Sequence, residues 1–288
     1  MKILVTGHSG QVARELALAL AGQGELLILG RDHLDLADSD AIRQRVRAER
    51  PELIINASAH TAVDQAESEP EAAFALNATA PGVLAEEAAA LGVPLIHYST
   101  DYVFDGRKTA PYTEDDQPNP LGVYGRSKLA GEEAIRAVGG AHLILRTSWV
   151  YSLHGRNFLL TMQRLLQERE QLNVVDDQVG APTWAGDIAT ATAALIQRWQ
   201  QGRQAWGTYH FTAGGETSWF GFASAIAETL KAEGKPCARL EPIPSSAYPT
   251  PAQRPLNSRL DGSKLRRDWD VALPDWRQGL EACLRHPR

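Results

Sequence analysis

The first twenty residues set an apolar strand, a glycine-rich turn and a helix in direct succession. The apolar run from Lys2 to Thr6 leads into Gly7-His8-Ser9-Gly10-Gln11-Val12-Ala13, after which leucines and alanines follow. Glycines let a backbone approach a pyrophosphate closely, and the start of a helix offers unpaired N–H donors and the positive end of its dipole. Ala13 keeps the third position small enough for the helix to pack on the strand. This order predicts a dinucleotide site, with a plain turn between strand and helix as the minor alternative.

Strands and helices continue to alternate through the first half of the chain. The pattern predicts strands at 26–29, 53–56, 94–99 and 142–147, and helices at 38–50, at 70–91 and from Tyr124 onward. Such alternation is typical of a parallel sheet covered by helices on both faces. The predicted fold class is therefore α/β, a Rossmann-type doubly wound parallel sheet with a smaller C-terminal substrate-binding lobe.

The alternation loosens beyond Trp149, which suggests a division of the chain. We predict a dinucleotide-binding domain over residues 1–150 and, over residues 151–288, mainly a substrate-binding lobe with one or more elements that return to the first domain. Further helices are predicted at 157–169, 182–200, 218–233 and 275–284, and strands at 172–175 and 208–212. The proline-rich segment 241–258 is expected to be extended, because proline cannot continue a helix.

The second predicted strand ends at Gly30-Arg31-Asp32, where a dinucleotide fold meets the adenosine ribose. An acidic residue there favours NAD by bonding the 2′-hydroxyl, whereas a guanidinium grips a 2′-phosphate with two hydrogen bonds. Arg31 therefore predicts NADPH, and the neighbouring Asp32 keeps NADH open as a second cofactor. Asp35 and Leu36 could line the adenine, or Asp35 could cap the next helix.

Tyr124 and Lys128 are four residues apart at the start of a predicted helix. Positions i and i+4 share one helical face, so we expect the ammonium group to favour the ionised phenol and lower its pKa. A phenol of lowered pKa can donate a proton at neutral pH. The alternative is an ordinary amphipathic helix start.

Polar side chains follow the fourth predicted strand, whose end reads Ser99-Thr100-Asp101. Ligands of open parallel sheets bind at the carboxyl ends of the strands, so Thr100 is a candidate to hydrogen-bond a substrate carbonyl oxygen. The loop 105–122 that follows has a length suited to a cover over a cleft. His97 lies inside the strand and is interpreted as a core histidine.

Composition excludes several classes of protein. The net charge of −6 argues against a broad nucleic-acid-binding surface. The two cysteines, Cys237 and Cys283, have no metal-ligand spacing and fit a reducing compartment. The N-terminus runs directly into a strand, so we expect no signal peptide, and no apolar run reaches the roughly 18 residues of a membrane helix. A cytoplasmic protein without membrane contact is therefore expected.

Several motifs in order resemble a known family. Gly7-x-x-Gly10, the Ser99-Thr100 strand end and Tyr124-x-x-x-Lys128 resemble the extended short-chain dehydrogenase/reductase superfamily. Segments 56–64, 97–104, 129–132, 146–151 and 254–258 look like one family within it, the dTDP-4-dehydrorhamnose reductases. The resemblance implies reduction of the 4-keto group of dTDP-6-deoxy-L-lyxo-4-hexulose to dTDP-L-rhamnose, a precursor of cell-surface polysaccharide.

The resemblance also implies roles for individual residues. The implied catalytic triad is Thr100, Tyr124 and Lys128. The implied cofactor contacts are Gly7, Gly10, Gln11, Val12, Arg31, Asp35, Leu36, Ala59, His60, Thr61, Tyr98, Tyr124 and Lys128. The implied substrate contacts are Thr100, Asp101, Trp149 and Arg254, the last near the substrate pyrophosphate. Asn77 occupies a position where the superfamily often has a structural asparagine, and a helical surface residue is the equal alternative.

Some members of the family bind magnesium through acidic residues at a dimer interface. Glu15 lies in the first helix, but the stretch 183–188 offers only Asp187, so no metal site is predicted. A homodimer is an expectation from the resemblance alone. Two rival functions stay open: a non-catalytic nucleotide-binding subunit resembling the regulatory β subunit of methionine adenosyltransferase, and an epimerase or reductase for another nucleotide sugar.

Overall fold

A computed structural model of the protein describes residues 1–286, which form twelve β-strands and eleven α-helices. The strands are β1 (Lys2–Thr6), β2 (Glu25–Leu29), β3 (Leu53–Asn56), β4 (Leu95–Thr100), β5 (His142–Thr147), β6 (Val150–Tyr151), β7 (Gln171–Val175), β8 (Val179–Gly180), β9 (Thr183–Trp184), β10 (Gly207–His210), β11 (Thr217–Ser218) and β12 (Arg239–Ile243). The helices are α1 (Gln11–Ala19), α2 (Ser39–Glu49), α3 (Val63–Ser68), α4 (Pro70–Phe74), α5 (Ala80–Leu91), α6 (Val123–Val138), α7 (Phe158–Glu168), α8 (Ala185–Gln200), α9 (Trp219–Ala232), α10 (Ser263–Trp269) and α11 (Trp276–Arg285).

Six strands form one parallel sheet in the order β10-β5-β4-β3-β1-β2. The chain moves from β1 to one side to make β2, then returns to build β3, β4 and β5 on the other side. This reversal puts helices on both faces and opens a crevice beyond the carboxyl ends of β1 and β3. The prediction of a doubly wound, Rossmann-type parallel sheet is confirmed.

Alternate residues of β1 enter different cores, because successive side chains of a strand point to opposite faces. Ile3 and Val5 belong to a buried cluster that includes residues of α1 and α8, while Leu4 joins a second cluster with residues of α2 and α5. The sheet is therefore covered on both sides, as its continuous apolar strands require.

The second half of the chain contributes to both parts of the molecule. β10 forms one edge of the main sheet, α8 packs on α1, and α10 packs on β10. Three small pairs stand apart from the main sheet: β7 with β12, β8 with β11, and β6 with β9. A separate apolar cluster, with Leu159, Phe222 and Trp276 among its members, holds α7, α9 and α11 together.

The segment predicted as one helix over 70–91 is divided by a π-helical turn at Ala75–Thr79. Pro81 has no N–H to give the Asn77 carbonyl four residues earlier, which disfavours a regular α-helix there. Asn77 is fully buried, and its side chain bonds both main-chain groups of His60, at 2.8 and 3.0 Å, and the Ser127 hydroxyl at 3.0 Å. Of its two alternatives, the structural asparagine is therefore the one observed.

In the proline-rich segment 241–258, β12 ends at Ile243, a 3-10 turn covers Ser245–Ala247, and the remainder is irregular with an isolated bridge at Asn257. Within residues 1–286, no helix combines the length and apolar character needed to cross a membrane.

Candidate active site

A cleft of about 700 Å³ opens at the carboxyl ends of the central strands. Most of the residues predicted for the site line it: Gly7, Gly10, Gln11, Val12, Arg31, Ala59, Thr61, Tyr98, Thr100, Asp101, Tyr124, Lys128 and Trp149. The predicted contacts outside its lining are Asp35, Leu36, His60 and Arg254. The fold thus brings the glycine turn and the Tyr124–Lys128 helix into one cavity.

The glycine turn is shaped for close approach of a ligand backbone. Gly7 has φ +91°, and a Cβ there would lie 2.9 Å from Ser58 Oγ, so a larger residue would meet both strain and a clash. The N-cap of α1 is Gly10, which provides no side-chain cap, so the first N–H groups of the helix are available to an anion. These features fit a dinucleotide pyrophosphate.

The Gln11 side chain connects this turn to the second half of the chain. Its Oε1 accepts hydrogen bonds from Ser152 Oγ at 3.0 Å and from Asn157 Nδ2 at 2.8 Å. Asn157 also caps α7 by accepting from Leu160 N at 3.1 Å. The loop before α7 is thereby held against the glycine turn.

Arg31 extends from the end of β2 with 88% of its side chain exposed, and it lines the cleft. Asp35 Oδ2 forms a long ion pair with the Arg31 guanidinium at 3.8 Å, beyond hydrogen-bond distance, so the N–H donors can still bind a phosphate. Asp32 lies beside His33 at 3.1 Å and does not line the cleft. The geometry therefore fits a 2′-phosphate better than a bare 2′-hydroxyl.

Of the two alternatives for Asp35, the helix cap is not observed. Asp38 caps α2 by accepting from Asp40 N and Ala41 N, both at 3.0 Å, while Asp35 bonds Ala37 N within its own turn. Leu36 is buried in the core on the α2 side of the sheet.

Thr100, Asp101 and Tyr124 meet at the floor of the cleft. Thr100 Oγ1 donates to Asp101 Oδ1 at 3.0 Å and accepts from Tyr102 N at 3.2 Å. Burial raises the pKa of Asp101 to about 6, against the opposing hydrogen bonds of the Ser258 and Thr100 hydroxyls. Burial likewise raises the pKa of the Tyr124 phenol to about 12, although the Thr100 hydroxyl opposes this.

The expected lowering of the Tyr124 pKa by Lys128 is therefore wrong for the protein alone. Lys128 Nζ donates to the Tyr98 carbonyl at 2.6 Å, so the ammonium is directed at the strand backbone. Desolvation of the phenolate then dominates the pKa of Tyr124. Burial also lowers the pKa of Lys128 to about 8, with the Glu132 charge opposing.

A buried series of hydrogen-bonded side chains behind the cleft determines which ring nitrogen of His97 carries the proton. Asn56 Oδ1 accepts from Thr6 Oγ1 at 2.6 Å and from Ser58 N at 3.3 Å, so its Nδ2 must donate to His97 Nδ1, 3.0 Å away. The neutral ring then carries its proton on Nε2, which faces Lys128 Nζ at 3.4 Å. Burial and the Lys128 charge both lower the pKa of His97 well below its usual value. His97 is the core histidine expected, and its ring also contacts the predicted catalytic lysine.

A buried ion pair anchors the helix that carries Tyr124 and Lys128. Glu132 accepts from Arg146 at 2.6 and 2.9 Å and from Ser99 Oγ at 2.6 Å, and Glu132 is fully buried. Burial alone would raise the pKa of Glu132, but the Arg146 guanidinium outweighs it and the pKa is lowered. The pair ties α6 to β4 and β5 directly behind the cleft.

Arg254, predicted near a substrate pyrophosphate, is engaged elsewhere. Its guanidinium donates to Asp64 Oδ2 at 2.8 Å and to the Ala252 carbonyl at 3.2 Å. The His60 backbone is bonded to Asn77, and its side chain lies 3.9 Å from Glu69.

Several residues that line the cleft were not predicted from the sequence: His8, Ser9, Arg156, Asn157 and Trp219. His8 and Ser9 belong to the glycine turn and could have been included from that motif. The other three come from the C-terminal half, and their approach depends on how it folds back.

The structure also bears on the acidic residues considered for a metal. Within residues 1–286, no group of three or more His, Cys, Asp or Glu side chains is arranged to hold a metal ion. Glu15 is 5% exposed, and burial raises the pKa of Asp187 to about 6.

Comparisons with known proteins agree with this geometry. The chain matches the family described as RmlD substrate binding domain over residues 1–288. It is similar to the dTDP-4-dehydrorhamnose reductase of Burkholderia thailandensis, with 47% identity over 99% of this chain and 98% of the relative. Among solved structures, the dTDP-4-dehydrorhamnose reductase of Clostridium acetobutylicum has a TM-score of 0.91 at 35% identity, covering 99% of this chain and 98% of that one. The Bacillus anthracis reductase, solved in complex with NADP, has a TM-score of 0.90 at 33% identity, covering 98% of both chains.

Proposed function

The chain belongs to the RmlD substrate binding domain family, and from that premise we propose that it is a dTDP-4-dehydrorhamnose reductase. It reduces the 4-keto group of dTDP-6-deoxy-L-lyxo-4-hexulose to give dTDP-L-rhamnose for surface polysaccharide. The observation that carries this proposal is that Thr100, Tyr124 and Lys128 line the same cleft as the glycine turn and Arg31.

The proposed mechanism assigns the acid–base work to the floor of the cleft. NADPH, when bound, supplies the hydride. Thr100 exchanges its hydrogen bond to Asp101 Oδ1 for one to the substrate carbonyl oxygen, and Tyr124 donates its proton to that oxygen as negative charge develops there. A pKa of about 12 keeps the phenol protonated at neutral pH, which is the state a proton donor needs. Lys128 contributes positive charge close to the reacting groups.

The proposed cofactor contacts follow from the glycine turn, which fits a pyrophosphate, and from Arg31, which fits a 2′-phosphate. We assign the pyrophosphate to Gly7, Gly10, Gln11 and Val12, and the 2′-phosphate to Arg31. Asp35 and Leu36 are proposed for the adenosine, with Leu36 limited to main-chain contacts because its side chain is buried in the core. Ala59, His60 and Thr61 are proposed for the middle of the cofactor, and Tyr98, Tyr124 and Lys128 for the nicotinamide ribose. NADPH is the cofactor, and NADH is the second cofactor to be tested.

The sugar is assigned to Thr100, Asp101 and Trp149. Arg254 is proposed for the substrate pyrophosphate, which requires it to exchange its bond to Asp64 for one to the ligand. The division at residue 150 into a dinucleotide-binding domain and mainly a substrate-binding lobe is part of the same proposal.

A cytoplasmic homodimer is also proposed. The free thiols of Cys237 and Cys283 support a reducing compartment. Sedimentation analysis of the purified protein measures the oligomeric state, and a monomer at micromolar concentration would contradict the dimer.

The deciding experiment is oxidation of NADPH, and in parallel of NADH, by the purified protein supplied with the ketosugar. Because the ketosugar is labile, it is generated in place, and the product is identified by chromatography against dTDP-L-rhamnose. The matched control is Tyr124→Phe, which keeps the ring and removes the hydroxyl. We expect rapid NADPH oxidation with dTDP-L-rhamnose as product.

Two other outcomes would each point to a rival function. Protein that binds NADPH but does not oxidise it when the ketosugar is supplied would be a nucleotide-binding subunit or a reductase of another sugar. Protein that retains tightly bound cofactor through purification and converts a nucleotide sugar without net oxidation would be an epimerase.

A further inference from the structure

Trp149 is held in an unusual backbone conformation at the edge of the cleft. Its φ is +48°, the left-handed region that residues other than glycine seldom occupy, so the surrounding structure must maintain it. The Trp149 carbonyl accepts from Thr183 N at 3.2 Å, which fixes the main chain. The indole lies against Gly180, where a Cβ would be 2.8 Å from the ring. Gly180 is therefore the residue whose small size admits this ring.

Trp219 covers the Trp149 indole face to face. The two ring centroids are 3.6 Å apart and the planes differ by 10°, and both residues line the cleft. Trp219 is fixed by its own contacts: Nε1 donates to Gln178 Oε1 at 3.1 Å, and the Phe158 ring lies 4.6 Å away. Each partner of the stack is therefore anchored from a different segment of the chain.

The pairing of β8 with β11 explains how these segments meet. Thr217 pairs with Gly180 and Ser218 with Val179, so the first residue of α9, Trp219, emerges beside the strand on which Trp149 rests. The stack thus joins the end of β5 to the start of α9.

We propose that Trp219 is a positioning residue for the reaction, because its stacking holds the Trp149 indole where that ring contacts the sugar of the substrate. The inference rests on the proposed function and deepens it. Trp219 acts on the sugar through Trp149, since Trp149 carries the proposed sugar contact and Trp219 holds its ring. Loss of Trp219 should therefore weaken binding of the sugar nucleotide while leaving cofactor binding and the chemical step largely intact.

The test is a double-mutant cycle of Trp149→Ala and Trp219→Leu, with Trp219→Phe as the conservative variant. Affinity for dTDP-L-rhamnose is measured by calorimetry, and KM for the ketosugar, KM for NADPH and kcat are measured alongside. Near-ultraviolet circular dichroism reports the coupling of the stacked indoles. Trp206→Phe is the matched control, because Trp206 packs against Trp269 away from the cleft, at 5.8 Å between ring centroids.

We expect Trp219→Leu to raise KM for the ketosugar and Kd for dTDP-L-rhamnose roughly threefold to tenfold, the range of an aromatic pair. KM for NADPH and kcat should stay within about twofold, and Trp219→Phe should recover most of the affinity. In the Trp149→Ala background, Trp219→Leu should add less than about twofold, because the two residues act as one unit.

Two results would overturn the inference alone. One is an unchanged sugar affinity in Trp219→Leu although the dichroism of the stack is lost. The other is that Trp219→Leu lowers the sugar affinity by the same factor in the wild-type and Trp149→Ala proteins. That result would mean that Trp219 contacts the sugar directly. Wild-type protein that binds NADPH but no dTDP-sugar would instead overturn the proposed function and this inference together.

Discussion

The alkaline limit of the reduction should be set by Lys128. Its ammonium is 2% exposed and lies between the Tyr98 carbonyl and the Nε2–H of His97, and its pKa is lowered to about 8. A ring N–H that faces an ammonium group disfavours the charged lysine, so the hydrogen-bond pattern agrees with the lowered pKa. We therefore expect kcat/KM for the ketosugar to be full below about pH 8 and to fall as the pH rises through that value.

The magnitude follows from one ionisation. One pH unit above the pKa, about one lysine in ten keeps its proton, so kcat/KM should fall about tenfold for each further unit. Tyr124, with a pKa of about 12, stays protonated over the same range and contributes no limb of its own. The assay is NADPH absorbance at subsaturating ketosugar from about pH 6 to about pH 10, because kcat/KM reports the free enzyme.

Two variants test whether Lys128 is the group whose ionisation lowers kcat/KM at high pH. Lys128→Arg keeps the positive charge at all accessible pH values, so its alkaline limb should disappear even if its overall rate is lower. Lys128→Met should be slow at every pH and show no limb. A limb that persists at the same pH in Lys128→Arg would refute the assignment.

Loss of activity through deprotonation of Lys128 can be distinguished from unfolding at high pH, because the stability contribution of Lys128 changes in the opposite direction to the activity. The pKa of Lys128 is lowered from 10.5 to about 8 on folding, so between these values the unfolded chain binds more protons than the native protein. The contribution of Lys128 to the free energy of unfolding therefore rises with pH in that window, by up to about 3 kcal/mol. The contribution of Lys128 is measured as the difference in the free energy of unfolding by urea between wild type and Lys128→Met. As the pH rises through this window, activity should fall while this difference increases.

Three further predictions use the same protein. Tyr124→Phe should lower kcat by ~10²- to 10⁴-fold with an unchanged Kd for NADPH, measured by fluorescence titration; full activity would remove Tyr124 as the acid. Arg31→Ala should raise KM for NADPH and leave KM for NADH within about twofold, because only NADPH carries the 2′-phosphate; equal rises would place Arg31 elsewhere. Glu132→Ala should lower the free energy of unfolding by about 3–5 kcal/mol, since it leaves Arg146 buried without its partner, whereas the exposed Glu133→Ala should change it little; similar denaturation midpoints would refute the argument.

The parts of the fold that depend on local sequence were predicted well. The strands at 53–56 and 142–147 have the predicted bounds, because each is built on three consecutive apolar residues, 53–55 and 143–145, and ends in polar residues. The glycine turn was predictable because strand, glycines and helix follow one another directly. From the alternation of strands and helices, a general rule then placed the cleft at the carboxyl ends of the strands.

Contacts between distant segments could not be predicted in this way. Asn157 bonds Gln11 across 146 residues, and Arg254 meets Asp64 across 190. Nothing in either local sequence marks the partner, because the pairing depends on how the C-terminal half folds over the sheet. The same holds for Trp219, whose approach to Trp149 requires the pairing of β8 with β11.

The Tyr124–Lys128 pair shows why spacing alone placed two residues in one cleft and still predicted the wrong direction for the pKa of the phenol. Helical periodicity puts both residues on one face, but it does not predict which group the lysine ammonium contacts. In the structure the Lys128 ammonium donates to the Tyr98 carbonyl, and burial raises the pKa of the Tyr124 phenol instead of lowering it. For a reductase this direction is favourable, because the developing alkoxide is a stronger base than a phenolate and needs a donor that still holds its proton. The reverse oxidation would need the phenolate, so the same burial biases the site toward delivering a proton to the substrate oxygen.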